Sequence, residues 1–308
     1  MDRRGFLRSI GQAVAGSCLA ARILNANSGL KQRLGITSDE ITADFEAALK
    51  FIREFGLGWV EIRNLWDTYV TEASLEDCRR AKTLLDKHGV KLAVLDTALY
   101  KCNLPGTSTG RKDDYPYREQ EALLKRAIER SEILGTRFIR VFSFWRPEQP
   151  ETVFNQVVEH LEKSCAIARA SGRVLILENV GGATVETGAE AARLLQAVRS
   201  PNLGLLWDPN NAYCGGEKPF PDGYQKLDKK RIYHVHLRDA GRNPSTHRCE
   251  WLPVGKGEID NLGLLRALVK DGFQGTLNLE THYQRPDKNK ELATRESLKG
   301  LLEVIAQV

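Results

Sequence analysis

The segment RIYHVHLRDAGR, residues 231–242, carries an unusual set of polar side chains. Alternate side chains of a β-strand point to the same face, so His234, His236 and Arg238 share one face if this segment is extended. Burying two imidazoles and a guanidinium in an apolar core costs free energy. The pattern therefore predicts that this face borders a polar pocket.

Three carboxylates stand at the ends of other short apolar segments. They are Glu178 in VLILENVGG, Asp208 in LGLLWDPNN and Glu280 in TLNLETH. Together with His236 they offer oxygen and nitrogen ligands that suit one divalent cation, for which Mn, Mg, Co and Zn all remain candidates. Each residue alone also fits a structural role, such as bonding loop amides or capping a turn. Their joint occurrence at strand ends predicts a metal site.

Short strands rich in Val, Ile and Leu alternate with amphipathic helices along the chain, and several helices end at a Gly. Eight such units, without a GxGxxG motif after the first strand, favour an α/β fold: a single-domain (β/α)8 TIM barrel over residues 31–308. The alternative is a doubly wound open sheet. The predicted strands are 33–37, 59–63, 91–96, 138–142, 173–178, 203–208, 232–237 and 276–280.

In a barrel of this kind the carboxyl ends of all the strands meet at one mouth. The four candidate ligands follow strands five to eight, so the fold predicts that they meet there. Two long connections, 98–117 and 210–230, also fall on this face and are candidates for a lid. Other residues near strand ends could contact a substrate or form internal ion pairs: Glu61, Asp96, Arg140, Trp145 and Asn179.

Charge and cysteine content exclude some classes of protein. The 308-residue chain has a formal net charge of +5, and most of this excess lies in its first 28 residues, so no nucleic-acid partner is expected. The six cysteines show no CxxC pair, and free, mostly buried thiols are expected. His88 and His160 fall on predicted helices and are expected to face solvent.

Residues 1–28 are expected to form a twin-arginine-type signal peptide. DRRGFLR, residues 2–8, resembles such a signal, and the weakly apolar run that follows is too short and interrupted for a permanent membrane span. The expected partner is export machinery, and the expected location is periplasmic or otherwise exported. The alternative is a cytoplasmic protein that begins with a basic amphipathic helix.

The chain resembles the sugar phosphate isomerase/epimerase family of the xylose-isomerase-like TIM barrel superfamily. The motifs that carry the resemblance are LILENVGG, LLWDPNNAY, HVHLRD, WLPVGKGEID and LNLETH. The branch includes ketohexose 3-epimerases, hydroxypyruvate isomerase and inosose dehydratase. The resemblance implies one divalent metal ion held by Glu178, Asp208, His236 and Glu280.

The resemblance also implies that Arg242 contacts a small carbohydrate substrate. Asn211 and His234 are further candidates for substrate contact, but His234 lies one layer deeper and is expected to support the ligands or belong to the core. Ketohexose epimerases carry a His at the position of Asn211 and an acid at the position of Thr184, so substrate hydrogen bonds from these positions are altered and a simple ketohexose is a less favoured substrate.

The expected reaction is a sugar isomerisation or epimerisation through an enediolate, with Glu178 and Glu280 as the acid/base pair. A metal-dependent dehydratase or lyase acting on a keto-sugar or cyclitol at the same site is an alternative, and so is a non-catalytic metal-containing carbohydrate-binding protein. An endonuclease-IV-like enzyme is disfavoured because the chain has only six His and a nearly neutral body. The sugar, the metal and the oligomeric state stay open.

Overall fold

Eight parallel strands close into one barrel in the computed structural model, which describes residues 29–308. Each strand pairs with its two neighbours in chain order, and β1 closes the ring by pairing with both β2 and β8. The strands are β1 (Leu34–Thr37), β2 (Trp59–Ile62), β3 (Lys91–Leu95), β4 (Phe138–Val141), β5 (Val174–Glu178), β6 (Leu203–Trp207), β7 (Ile232–Leu237) and β8 (Thr276–Leu279). The predicted single-domain TIM barrel is confirmed, and each predicted strand agrees with an observed one to within a residue at either end.

Helices connect the strands and pack around the barrel. The longer ones are α1 (Phe45–Glu54), α2 (Leu75–His88), α3 (Gln120–Leu134), α4 (Phe154–Ala170), α5 (Gly188–Ala197), α6 (Pro209–Cys214), α7 (Asn261–Lys270) and α8 (Lys290–Ile305). Shorter helical segments lie at Ser38–Ile41, Tyr117–Glu119, Pro150–Thr152, Pro219–Gly223, Tyr224–Lys226 and Lys229–Arg231. Two small hairpins, Asn64–Leu65 with Thr68–Tyr69 and Asp239–Arg242 with Cys249–Leu252, follow β2 and β7.

Local sequence signals account for several helix ends. The Ser74 hydroxyl accepts a hydrogen bond from the amide of Asp77 and caps the start of α2. Gly89 ends the same helix with φ +62°, and Gly135 ends α3 with φ +85°, a conformation that L side chains rarely adopt. These caps fix where each helix turns back toward the next strand.

The barrel interior is polar at the carboxyl ends of the strands, which we call the upper end, and apolar below it. Its lower part is filled by an apolar cluster of Ala93, Val94, Val174, Ile176 and Leu206. Three partly buried aromatic rings pack against this cluster: Trp59, Phe138 and Tyr233. Above this cluster, at the carboxyl ends of the strands, the buried side chains are mainly charged. The polar pocket predicted from the sequence therefore lies at the mouth of the barrel.

A disulfide joins Cys214, the last residue of α6, to Cys249 in the hairpin after β7. The expectation of free thiols is wrong for this pair, because the segments after β6 and β7 bring their Cα atoms to 5.5 Å. Cys78, Cys102 and Cys165 are free and buried, as expected. Cys18 and the predicted signal peptide of residues 1–28 lie outside the described residues.

Of the helices in the described residues, none is long and apolar enough to cross a membrane. The connection at 210–230, predicted as a lid, is largely helical, whereas 98–116 has no regular structure. Residues of both connections line the cavity at the mouth of the barrel.

Candidate metal and active site

The structure brings the four predicted metal ligands together. One ligand atom each from Glu178, Asp208, His236 and Glu280 lies within 4.8 Å of the others, and all four residues are buried. His236 Nδ1 lies 3.7 Å from Glu178 Oε1, 3.5 Å from Asp208 Oδ2 and 3.3 Å from Glu280 Oε2. Strands β5 to β8 place these residues because each ends at the same edge of the barrel.

The donor atoms fit a divalent cation. His236 Nδ1 is buried without a hydrogen-bond partner and faces three carboxylates, which is the arrangement expected of a nitrogen ligand. Three carboxylates and one imidazole match the preferences of Mn, Zn, Co and Mg. These four residues could therefore hold one metal ion, and its identity is not established.

Glu61 fixes the other side of the His236 ring. Its Oε2 atom lies 3.0 Å from His236 Nε2 and 3.2 Å from His234 Nε2, and all three side chains are completely buried. A carboxylate in this position holds the Nε2 proton and leaves Nδ1 free to bind a metal. Although burial disfavours the charge, the two imidazoles hold the pKa of Glu61 below its ordinary range.

His234 lies beneath the metal ligands. Its Nδ1 atom is 2.6 Å from the Thr276 hydroxyl and its Nε2 atom contacts Glu61, so partners within the protein occupy both ring nitrogens. Burial lowers the pKa of His234 and favours the neutral ring. The structure places this residue, predicted to contact substrate, in the layer below the cavity.

Three arginines, of which Arg140 and Arg238 are buried and Arg63 is partly buried, balance the carboxylates. Arg140 contacts Asp96 and lies 2.9 Å from Glu178 Oε2, Arg238 pairs with Asp208, and Arg63 lies 3.1 Å from Glu280 Oε1. Each of these ion pairs neutralises a carboxylate that burial would otherwise destabilise.

In each of the two glutamates, one oxygen contacts Arg63 or Arg140 and the other faces His236. Arg63 contacts Glu280 Oε1, which leaves Oε2 facing His236, and Arg140 contacts Glu178 Oε2, which leaves Oε1 toward the same ring. Burial opposes ionisation of Glu280, but His282 and Arg238 outweigh it and hold its pKa well below the ordinary range. Glu280 is therefore a carboxylate at neutral pH.

Asn211 and Asn179 connect the residues at the ends of β5 and β6 by hydrogen bonds. Asn211 Nδ2 donates to Glu178 Oε1 at 3.1 Å, and its Oδ1 accepts from Arg238 at 3.0 Å. Asn179 donates to the backbone carbonyl of Asp208, and its Oδ1 accepts from the Asp208 amide. The asparagines in LILENVGG and LLWDPNN thus fix the relative positions of the ends of β5 and β6.

The HVHLRD and VGKGEID motifs are joined by one carboxylate. Asp239 accepts four backbone hydrogen bonds at 2.8–3.1 Å, from Ala240, Gly255, Gly257 and Ile259. A Cβ atom on Gly257 would overlap Asp239, so this turn requires glycine. The loop after β7 is therefore fixed beside the metal ligands.

Arg242 is placed differently from the prediction. Its guanidinium is exposed and donates to the carbonyls of Tyr213 and His247, and it does not line the cavity above the four ligands. Arg238, two residues after His236, is the arginine that enters the site, and strand alternation was the signal for it.

The cavity above the ligands has a volume of about 590 Å³. Glu178 and Glu280 are at its floor, and its walls include Asn211, His282 and Trp251. This space is within the range of small-molecule binding sites.

Similarity to known proteins agrees with this geometry. Residues 49–304 match the family described as xylose isomerase-like TIM barrel. Fructoselysine 3-epimerase from Shigella flexneri is 25% identical over 199 residues, which cover 62% of this chain and 69% of that protein. Inosose isomerase from Halalkalibacterium halodurans is 22% identical over 268 residues, covering 84% of this chain and 89% of that protein.

Solved structures share the fold. An IolI protein with a bound zinc atom superimposes with a TM-score of 0.71 at 22% identity, covering 90% of this chain and 99% of that chain. The apo form of 3-keto-D-glucoside 4-epimerase from E. coli gives a TM-score of 0.67 at 18% identity, covering 89% and 99%. The relatives found include epimerases, an isomerase and dehydratases that act on sugars or inososes. The chain belongs to the xylose isomerase-like TIM barrel family.

Proposed function

We propose that this chain is a divalent-metal-dependent sugar isomerase or epimerase. The observation that carries the proposal is the convergence of Glu178, Asp208, His236 and Glu280, two of which, Glu178 and Glu280, line a cavity large enough for a sugar. Its sugar-processing relatives support an enzyme of this class with a small carbohydrate substrate.

Glu178 and Glu280 would act as the acid/base pair. A proton next to a carbonyl is removed by one carboxylate and returned by another, and the two residues leave β5 and β8, on different sides of the cavity floor. Arg140 and Arg63 hold one oxygen of each glutamate and orient the other oxygen inward. A bound divalent cation would supply electrostatic stabilisation of the negative charge that develops on the substrate oxygens.

Substitution of either glutamate tests this assignment. Metal analysis of the purified protein comes first, followed by a screen of keto-sugars in deuterated water watched by NMR. We expect the wild-type protein to exchange a carbon-bound hydrogen for deuterium. Glu178→Gln and Glu280→Gln should each reduce this exchange at least about 100-fold while sugar binding persists. Unchanged exchange in either variant would contradict the acid/base assignment.

A dehydratase or lyase at the same site is the second candidate. Inosose dehydratase from Clostridium perfringens is 24% identical over 145 residues, covering 42% of this chain and 48% of that protein. If a leaving group on the carbon next to the deprotonated one is expelled, the same two carboxylates serve an elimination. Formation of an unsaturated product in the same NMR screen would select this candidate over epimerisation.

We also propose that the chain is exported. The RR-x-FL pattern in residues 3–7 supports a twin-arginine signal, and a disulfide between Cys214 and Cys249 is typical of proteins in oxidising compartments. Fractionation of the native host should place a chain lacking about the first 28 residues outside the cytoplasm. Full-length protein found only in the cytoplasm would contradict export.

A further inference from the structure

Five cationic side chains line the cavity, and two of them have no carboxylate partner. Arg63, Arg140 and Arg238 are engaged in the ion pairs described above. Lys101 and Arg111 line the same cavity but make no ion pair within 4.0 Å with any residue in the range 29–308. Both belong to the long connection that follows β3.

Lys101 is a partly buried cation that forms no ion pair with the described residues, although the carboxylates of Glu178, Asp114 and Asp96 lie near it. Its ammonium lies 4.5 Å from the centroid of the Phe142 ring, and it forms no hydrogen bond with the part of the chain that the structure describes. Burial, followed by the nearby charge of Arg140, lowers the pKa of Lys101 and outweighs the opposing effect of these three carboxylates. A desolvated ammonium beside a second cation is destabilised until an anion approaches it.

Arg111 extends over the loop that follows β5. Its guanidinium lies against Gly182, where any Cβ atom would overlap it, and 5.4 Å from the centroid of the Trp145 ring. Because Gly182 has no side chain, the guanidinium can occupy this space. Because Arg111 also has no carboxylate partner among the described residues, its hydrogen-bond donors remain available at the edge of the cavity.

We infer that Lys101 and Arg111 form an anion-binding subsite and that the substrate is an acidic sugar, which carries a carboxylate or a phosphate ester. This inference rests on the proposed sugar-processing function. The three arginines already pair with carboxylates of the metal site. Asp114 and Glu186 also line the cavity but form no ion pair with Lys101 or Arg111, so these two cations are placed to meet a negative charge brought by the substrate. An ammonium and a guanidinium can share the oxygens of one such group.

Binding of three related hexoses tests the subsite. D-glucose, D-glucuronate and D-glucose 6-phosphate differ only at C6, and their dissociation constants with the manganese-loaded protein can be measured by calorimetry. We expect one of the two anions to bind at least about tenfold more tightly than glucose. The anion that does so identifies a carboxylate or a phosphate as the recognised group.

Matched variants assign this preference to the two residues. Lys101→Gln and Arg111→Gln should each weaken binding of the preferred anion about 10- to 100-fold and leave glucose binding unchanged. Lys112→Gln is the control, because Lys112 is an exposed cation of the same connection that does not line the cavity. Arg111 is exposed, so its substitution gives a reading even if the Lys101 variant fails to fold.

Equal binding of the three hexoses by the wild-type protein would overturn the inference, and so would an anion preference that survives in both variants. This outcome is distinct from failure of the proposed function. A preference that depends on Lys101, without deuterium exchange into any sugar, would support the subsite and contradict the proposed catalysis. Deuterium exchange into neutral sugars without an anion preference would support the proposed catalysis and contradict the subsite.

Discussion

Substitution of Glu61 by Gln tests whether this carboxylate orients the metal-binding imidazole of His236. Glu61 Oε2 accepts hydrogen bonds from both His234 and His236, while its Oε1 atom is buried without a hydrogen-bond partner. The variant retains nearly the same shape but loses the charge that fixes the Nε2 proton of His236. Its amide oxygen can accept one or both imidazole protons, and its amide nitrogen then occupies the position of Oε1.

Two losses follow from this geometry. Loss of a carboxylate behind a metal-binding imidazole typically reduces metal affinity about 10- to 100-fold, which corresponds to about 1.4–2.7 kcal/mol. Separately, a buried amide donor without an acceptor costs about 1–3 kcal/mol of folding free energy. We therefore expect Glu61→Gln to bind Mn²⁺ or Zn²⁺ more weakly and to unfold at a lower temperature without metal.

The assay is a competition titration with a coloured chelator at a temperature where the variant is fully folded. Thermal unfolding of the metal-free protein reports the second loss independently. Glu46→Gln is the matched control, because Glu46 is a partly exposed residue on α1 that pairs with Lys87, away from the site. Metal affinity equal to that of the wild type would refute the role assigned to Glu61.

Three further predictions concern stability. Arg140→Met leaves Asp96 and Glu178 buried without their cation and should lower the free energy of unfolding in urea by about 3–5 kcal/mol, whereas an unchanged value would show that the ion pairs contribute nothing. Burial lowers the pKa of His160 to about 4, so on acidification the imidazole is protonated in the unfolded chain before it is protonated in the folded one. The free energy of unfolding should therefore fall by about 2 kcal/mol between about pH 6.5 and pH 4, after discounting the exposed part of the ring. His160→Phe should flatten this part of the stability profile. Cys214→Ala, which removes the disulfide, should lower the free energy of unfolding by about 3–4 kcal/mol, and equal urea midpoints with and without reductant in the wild type would argue against the bond.

Much of the fold was predictable because its signals are local. Each strand is a short segment that contains Val, Ile or Leu, and helices α2 and α3 end at glycines with positive φ. Barrel closure then places strand ends at one mouth, so Glu178, Asp208, His236 and Glu280 could be expected to meet. These four ligands can be predicted from the sequence because their proximity depends on the order of the strands in the barrel and not on the conformations of individual side chains.

Other parts of the site depend on partners from distant strands. Glu61 stood out only as a charged residue near a strand end, because its two imidazole partners lie 173 and 175 residues away. His160 was expected to face solvent, but its ring packs against Tyr100 and Phe144 with centroid distances of 4.8 and 4.9 Å. His88 is also largely covered, since its Nε2 lies 3.0 Å from a Glu46 oxygen.

The pairing of Cys214 with Cys249 could not be inferred because their 35-residue separation carries no motif. Their proximity depends on how the segments after β6 and β7 fold back on each other. The choice between Arg238 and Arg242 is of the same kind, because Arg242 turns outward only through its bonds to Tyr213 and His247.

The covalent link between the segments after β6 and β7 divides the rim of the barrel into two unequal halves. Strand β3 lies diametrically across the eight-stranded ring from β7, and the segment that follows it, residues 98–116, contains internal hydrogen bonds such as those of Asn103 with Thr109 and Asp113. One side of the rim is thus cross-linked, and the facing side is joined to its neighbour by hydrogen bonds such as those from Phe142 to Leu99 and from Trp145 to Cys102. Substitutions near Lys101 and Arg111 therefore alter the lining of the cavity without removing the covalent link on the opposite side.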